Sequence, residues 1–211
     1  MIHSTEPSAT YISDSTGAGV GANHPYTYYL DPPKFEGVNY VNYNIGVPGR
    51  KLSEMFALMD SIDPTKLGAC MNMHDEGRKI VNIWGAGNDF QAGDSPSEAF
   101  LCLEKFCLAL RERGALVIVT TLLSRLNLDS KIAEYNGLIR EKAWRFAHGL
   151  ADPAKYSQVG SAGASLAKPG QKFFQPDQIH PADPALIIVA AEVQYAFEKV
   201  NAGEFIFRPS L

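Results

Sequence analysis

The chain carries five histidines, His3, His24, His74, His148 and His180, and one of them has a carboxylate at a spacing suited to proton relay. That one lies in Pro176-Asp177-Gln178-Ile179-His180-Pro181. Within a single turn of chain, a carboxylate three residues earlier can meet the ring Nδ1. This fixes the tautomer and leaves Nε2 facing outward as a base. The same spacing also suits a plain turn that caps the helix after it. A serine nucleophile needs such a base, a hydroxyl presented on a tight turn, and donors for the oxyanion that forms. Ser15, in Ser13-Asp14-Ser15-Thr16-Gly17, follows a short apolar run. The segment is predicted to lead into a glycine-rich helix start, whose N–H groups and dipole would face the hydroxyl. Here too, a plain N-cap accounts for the residue types.

A rival serine stands in Gly93-Asp94-Ser95. Ser95 precedes Pro96 and Glu98, a capping box with proline at the first helical position, so a structural role explains it fully. Two further segments offer oxyanion donors. Gly49, in Asn44-Ile45-Gly46-Val47-Pro48-Gly49-Arg50, can bring a backbone N–H close to a ligand because it has no side chain. Asn88, in Trp84-Gly85-Ala86-Gly87-Asn88-Asp89, has an amide that can donate. Each also reads as an ordinary turn. All four segments follow strands or precede a helix.

The elements that must position these residues alternate between strand-like runs and helix-period runs, the signature of an α/β fold with a parallel sheet. Strands are predicted at Ile80 to Trp84 and Ala115 to Thr121, with a short one at Ala9 to Ile12 and another near Tyr40 to Ile45. One helix begins after Ser95, with Phe100, Leu103, Cys107 and Leu110 as its apolar face. A second follows Asp129 and Ser130, either of which can cap it, and buries Ile132, Ile139, Ala143 and Phe146. A third starts near Asp183-Pro184 and carries Leu186, Val189, Val193, Phe197 and Val200. All three stripes keep the 3.6 period. Gly149 to Gly170, rich in Gly, Ala, Ser and Pro, is predicted to be a surface loop bordering the site. No break resembles a linker, so residues 1–211 are read as one domain.

The 211 residues, 45% hydrophobic and 20% charged, can bury a sizeable core. A net charge of −4 without a basic stripe speaks against nucleic acid as a partner. No apolar run is long enough to span a membrane. Cys70, Cys102 and Cys107 are read as reduced core thiols. With no signal peptide in the first residues, they favour a cytoplasmic location; a secreted or periplasmic one remains open if a leader was removed.

The order Asp14-Ser15, Gly49, Gly87-Asn88-Asp89 and Asp177-x-x-His180 resembles the SGNH hydrolase superfamily, the GDSL-type esterases, over nearly the whole chain. Tyr135-Asn136-Gly137-Leu138-Ile139-Arg140 is similar to a helix segment common in that family. The resemblance implies a three-layer α/β/α sandwich with about five parallel strands in a flavodoxin-like order. It implies Ser15 as nucleophile, His180 as base and Asp177 as its orienter. The oxyanion hole would be the N–H groups of Ser15 and Gly49 with the side chain of Asn88. Asp89 would be a structural neighbour, and no metal or organic cofactor is implied. The Gly49-Arg50 pair is similar to some carbohydrate acetylesterases, which makes Arg50 a candidate substrate contact. The expected substrate is therefore a small-molecule or carbohydrate ester with a short acyl group. Acyl transfer, lysophospholipase and thioesterase activity share the same acyl-enzyme. Two departures stand out. Ser13 replaces the family's glycine, and Ala86-Gly87-Asn88 stands for Gly-x-Asn. The remote alternative is a dinucleotide-binding oxidoreductase using Gly17-Ala18-Gly19-Val20-Gly21-Ala22. Four polar residues separate those glycines from the strand, against the motif's needs. A non-catalytic carbohydrate-binding protein is disfavoured because no catalytic position is missing.

Overall fold

A computed structural model of the protein describes residues 5–31, 34–60, 77–166 and 172–205. Five parallel strands make the main sheet: β1 (Ser8–Ser13), β4 (Val41–Gly46), β5 (Lys79–Trp84), β6 (Ala115–Thr120) and β7 (Gly149–Ala151). Their spatial order is β4-β1-β5-β6-β7. Counting only these strands, that is 2-1-3-4-5, the flavodoxin-like order. A small antiparallel hairpin, β2 (Lys34–Phe35) with β3 (Val38–Asn39), stands apart. Both β1 and β5 are buried along their whole length. Strands covered on both faces read as continuous apolar runs, which is why Ile80 to Trp84 is so visible in the sequence.

Helices flank this sheet as the three-layer reading requires. They are α1 (Leu52–Phe56), α2 (Gly87–Gln91), α3 (Pro96–Glu112), α4 (Asp129–Lys142), α5 (Ser157–Gly160) and α6 (Asp183–Asn201). The long helix α6 packs on β6, β7 and a 3-10 turn at Tyr26–Tyr29, while α3 packs on β6, α1 and α4. The capping box forms: Ser95 N–H donates to Glu98 Oε2 at 2.8 Å, and Glu98 N–H to Ser95 Oγ at 3.2 Å. All four predicted core residues of α3 and all five of α6 are buried. Full burial of such side chains contributes about 1.5–3 kcal/mol each.

Several expectations are corrected. Residues 14–22 form successive turns and bends rather than a helix, so the helix start predicted after Ser15 does not form there. The cause lies in Gly19 and Gly21, at φ +78° and +80°, left-handed positions that stop an α-helix from propagating. The first strand is six residues long rather than short. Gly149 to Gly170 opens with β7 and continues into a 3-10 turn and α5, so its first half is ordered secondary structure at the sheet edge. Neither Asp129 nor Ser130 caps α4, whose N-cap is Leu128. The Asp129 carboxylate instead accepts from Ser124 Oγ at 2.7 Å, Arg125 N–H at 3.2 Å and Gly163 N–H at 2.6 Å. Ala143 and Phe146 are buried beyond the end of α4, in the turn after it. Cys107 is buried and Cys102 half-buried, both as free thiols. Cys70, Pro32-Pro33 and the end of the Gly149–Gly170 stretch lie outside the described residues. Among the described residues, no helix is long and apolar enough to cross a membrane.

Candidate active site

The sheet order explains the placement of the site. β1 ends at Ser13 and delivers Ser15; β4, one neighbour, leads into the loop carrying Gly49, and β5, the other, leads into α2, which carries Asn88 in its first turn. The segment holding Asp177 and His180 precedes α6. Chain reversal about β1 leaves a crevice at the strands' carboxyl ends, where α/β proteins bind ligands.

The structure brings Ser15, His180 and Asp177 into one line. His180 Nε2 lies 3.0 Å from Ser15 Oγ, and His180 Nδ1 lies 2.6 Å from Asp177 Oδ2. The other carboxylate oxygen, Asp177 Oδ1, accepts from Ile179 N–H at 2.9 Å and His180 N–H at 3.0 Å. Thus the turn that presents the ring is closed by the carboxylate that orients it. Burial raises the Asp177 carboxyl, but the donors from His180 and Ile179 outweigh it and hold it below its ordinary value. Gln178, inside this turn, takes φ +60°, and Gln175 N–H donates to the His180 carbonyl at 2.8 Å.

Below the hydroxyl lies Asp14, wholly buried. It accepts from Thr16 N–H at 2.8 Å and from Asn88 Nδ2 at 3.4 Å. Burial raises its carboxyl above the usual range, while the Thr16 hydrogen bond and the Arg125 charge pull the other way. Ser13, where a glycine was expected, is enclosed completely. Its side chain fits because Gly17 and Gly46 give way: a Cβ on Gly17 would come within 2.3 Å of Ser13 Cβ, and one on Gly46 within 2.9 Å of its Oγ. Gly17 therefore makes room for a side chain, not for a pyrophosphate.

On the oxyanion side, Gly49 takes φ +77° with open space where a Cβ would be. Conformation, not crowding, calls for glycine there. Asn88 Nδ2 donates to the Arg50 carbonyl at 3.1 Å, which ties the β5 loop to the β4 loop. The Arg50 side chain borders an open groove with Val47, Pro48, Glu54 and Ala57. Asp89 accepts from Leu52 N–H at 3.2 Å and so anchors the start of α1. Ala86 takes φ +118°, a left-handed conformation that glycine would adopt without strain.

One residue of this region carries no signal in the sequence. Arg125, after β6, is 7% exposed. Its Nη2 donates to Gln91 Oε1 at 2.9 Å and Asn88 Oδ1 at 3.4 Å. Nothing in Leu123-Ser124-Arg125-Leu126 announces this, because the approach to Asn88 exists only in the folded chain. The loop it rides on is held by Asn136, whose amide accepts from Leu122 N–H and donates to Leu122 O, both at 2.8 Å. Tyr26 is buried edge-on against Trp84, whereas Tyr28 is exposed and stacks on His24 at 3.8 Å. Among the described residues, no group of three or more His, Cys, Asp or Glu side chains could hold a metal.

No protein-family model matches the sequence, and no curated protein matches it. Solved structures do match the fold. TesA shares 18% identity at a TM-score of 0.67, covering 92% of this chain and 99% of its own. A GDSL-like lipase from Bacteroides thetaiotaomicron shares 15% at a TM-score of 0.62, covering 93% and 89%. An Axe2 variant, an acetyl-xylooligosaccharide esterase from Geobacillus, shares 16% at a TM-score of 0.62, covering 99% of both chains. With its sheet order and loop placement, the chain has the fold of the SGNH, or GDSL-type, hydrolases.

Proposed function

We propose that this protein is a serine ester hydrolase in which Ser15 is the nucleophile, His180 the base and Asp177 its orienter. The observation that carries the reading is the relay itself, from Ser15 Oγ through the His180 ring to the Asp177 carboxylate at 3.0 and 2.6 Å. Ser15 Oγ attacks the ester carbonyl while His180 Nε2 takes its proton, then returns it to the leaving alcohol. Water, deprotonated by the same ring, releases the acid. The N–H groups of Ser15 and Gly49 and the Asn88 amide stabilise the oxyanion.

The substrate proposed is a short-chain ester, with acetyl groups on carbohydrate as the leading class. Arg50 lines the open groove beside Gly49, which supports a role in meeting an alcohol leaving group such as a sugar. A fold shared with an acetyl-xylooligosaccharide esterase supports the same class.

Hydrolysis of p-nitrophenyl acetate by the wild type and by Ser15→Ala tests the assignment. Turnover is expected to vanish in the variant; retained turnover would exclude Ser15 as nucleophile. An acyl-length series run beside acetylated xylooligosaccharides tests the substrate. A rate optimum at long acyl chains would overturn the short-acyl reading.

A further inference from the structure

A buried guanidinium is costly to desolvate, so one sitting under a reaction site calls for a reason. Arg125 lies among neutral amide oxygens; among the described residues no carboxylate comes within 4.0 Å of it, although Asp14 and Asp177 act on it at longer range. The surrounding chain is shaped to admit it. A Cβ on Gly87 would lie 2.3 Å from Arg125 Nη1, so the residue before Asn88 is a glycine through which the guanidinium passes. The Arg125 loop is also tied to the turn holding the base, since Leu126 N–H donates to the Gln178 carbonyl at 3.0 Å.

We infer that Arg125 is a positioning residue that sets which end of the Asn88 amide faces the reacting carbonyl; this deepens, and rests on, the ester hydrolase reading. A primary amide is nearly symmetric in shape but opposite in polarity at its two ends. Asn88 Oδ1 faces the Arg125 donor at 3.4 Å, while Nδ2 donates to the Arg50 carbonyl at 3.1 Å and, through a long contact of 3.4 Å that an oxyanion would replace, to Asp14 Oδ2. Rotating the amide by half a turn would set carbonyl against carboxylate and N–H against guanidinium. It would also point an oxygen where the oxyanion must form. Arg125 from one side, and Asp14 with Arg50 from the other, therefore keep the donor end inward. Gln91, on the outer end of α2, holds the guanidinium in place through Oε1.

The test is a double-mutant cycle on p-nitrophenyl acetate with wild type, Arg125→Gln, Asn88→Ala and the pair. Gly87→Ala is added as a variant that keeps the arginine but displaces its guanidinium. Arg125→Gln and Gly87→Ala should each lower kcat about tenfold, the worth of one hydrogen bond to a charged group. KM should stay within about twofold, because the loss falls on the transition state. In the Asn88→Ala background, Arg125→Gln should cost nothing further. An equal loss in both backgrounds would overturn the inference, as would unchanged kcat in both single variants. If Arg125→Gln does not fold, Gly87→Ala and its pairing with Asn88→Ala decide the matter by the same criteria. Labelling of Ser15 by diethyl p-nitrophenyl phosphate separates the two readings. A wild type that neither turns over the ester nor takes the label removes the hydrolase reading itself; normal labelling with an additive cycle removes only the role of Arg125.

Discussion

Ser13 has a hydroxyl that is fully enclosed and lacks a hydrogen-bond partner, and two glycines give it space. A buried hydroxyl left unpaired costs about 1–3 kcal/mol of desolvation. The crowding is reciprocal, and a pair of substitutions exposes it. Gly17→Ala should destabilise the protein by about 1–3 kcal/mol through overpacking, read as a lower midpoint in urea. In the Ser13→Gly background the same change should cost much less, since the atoms it strikes are gone. Equal costs in the two backgrounds would mean that Gly17 is required for another reason. Asp14 completes the residue scale. Burial raises its carboxyl above the usual range against the pull of Thr16, Arg125 and His180, and it directly precedes Ser15 in the chain.

Among elements, the loop after β6 has the largest influence relative to its length. It carries Arg125, touches the base turn through Leu126, and is held by the two hydrogen bonds of Asn136 on α4. Asn136→Ala would leave both polar groups of Leu122 unpaired in a buried place. The expected loss is about 2–4 kcal/mol, measured by thermal or chemical unfolding, with kcat falling as the loop loosens. The sequence showed Asn136 only as part of a family-like segment; its partner 14 residues earlier explains why it is there. The long helices were legible because their apolar stripes repeat over several turns. β7 was not, because Gly149-Leu150-Ala151 is three residues without β-branched or aromatic side chains. The turns after Ser15 were misread as a helix because glycine composition does not reveal the sign of φ. The four loop segments were readable for a different cause: each sits at the end of a strand or the start of a helix, and that position survives in linear order. What linear order cannot carry is a lone arginine reaching across the sheet.

At the scale of the molecule, stability has a pH dependence with a traceable source. His148, between α4 and β7, accepts from Val117 N–H at Nδ1, 3.0 Å away, which requires a neutral ring. Burial, reinforced by the Arg111 charge, lowers it from 6.5 to about 4. Between those values the unfolded chain binds a proton that the folded chain refuses, so stability falls as pH drops through that window and is unaffected above it. The melting temperature should therefore decline from about pH 6.5 towards pH 4. A His148→Gln variant should show a shallower decline, and an unchanged slope would place the acid sensitivity elsewhere.

Ser15 and His180, the proposed nucleophile and base, are separated by 165 residues, one just after β1 and the other just before α6. Four of the five strands of the main sheet lie between them in the chain. Under the proposed mechanism, a fragment ending before Pro176 holds Ser15 and the segments of Gly49 and Asn88 but lacks His180, so an ester would not acylate its serine. Under that mechanism, activity would depend on docking of the segment before α6 against the end of β1, and so would report long-range folding rather than local structure.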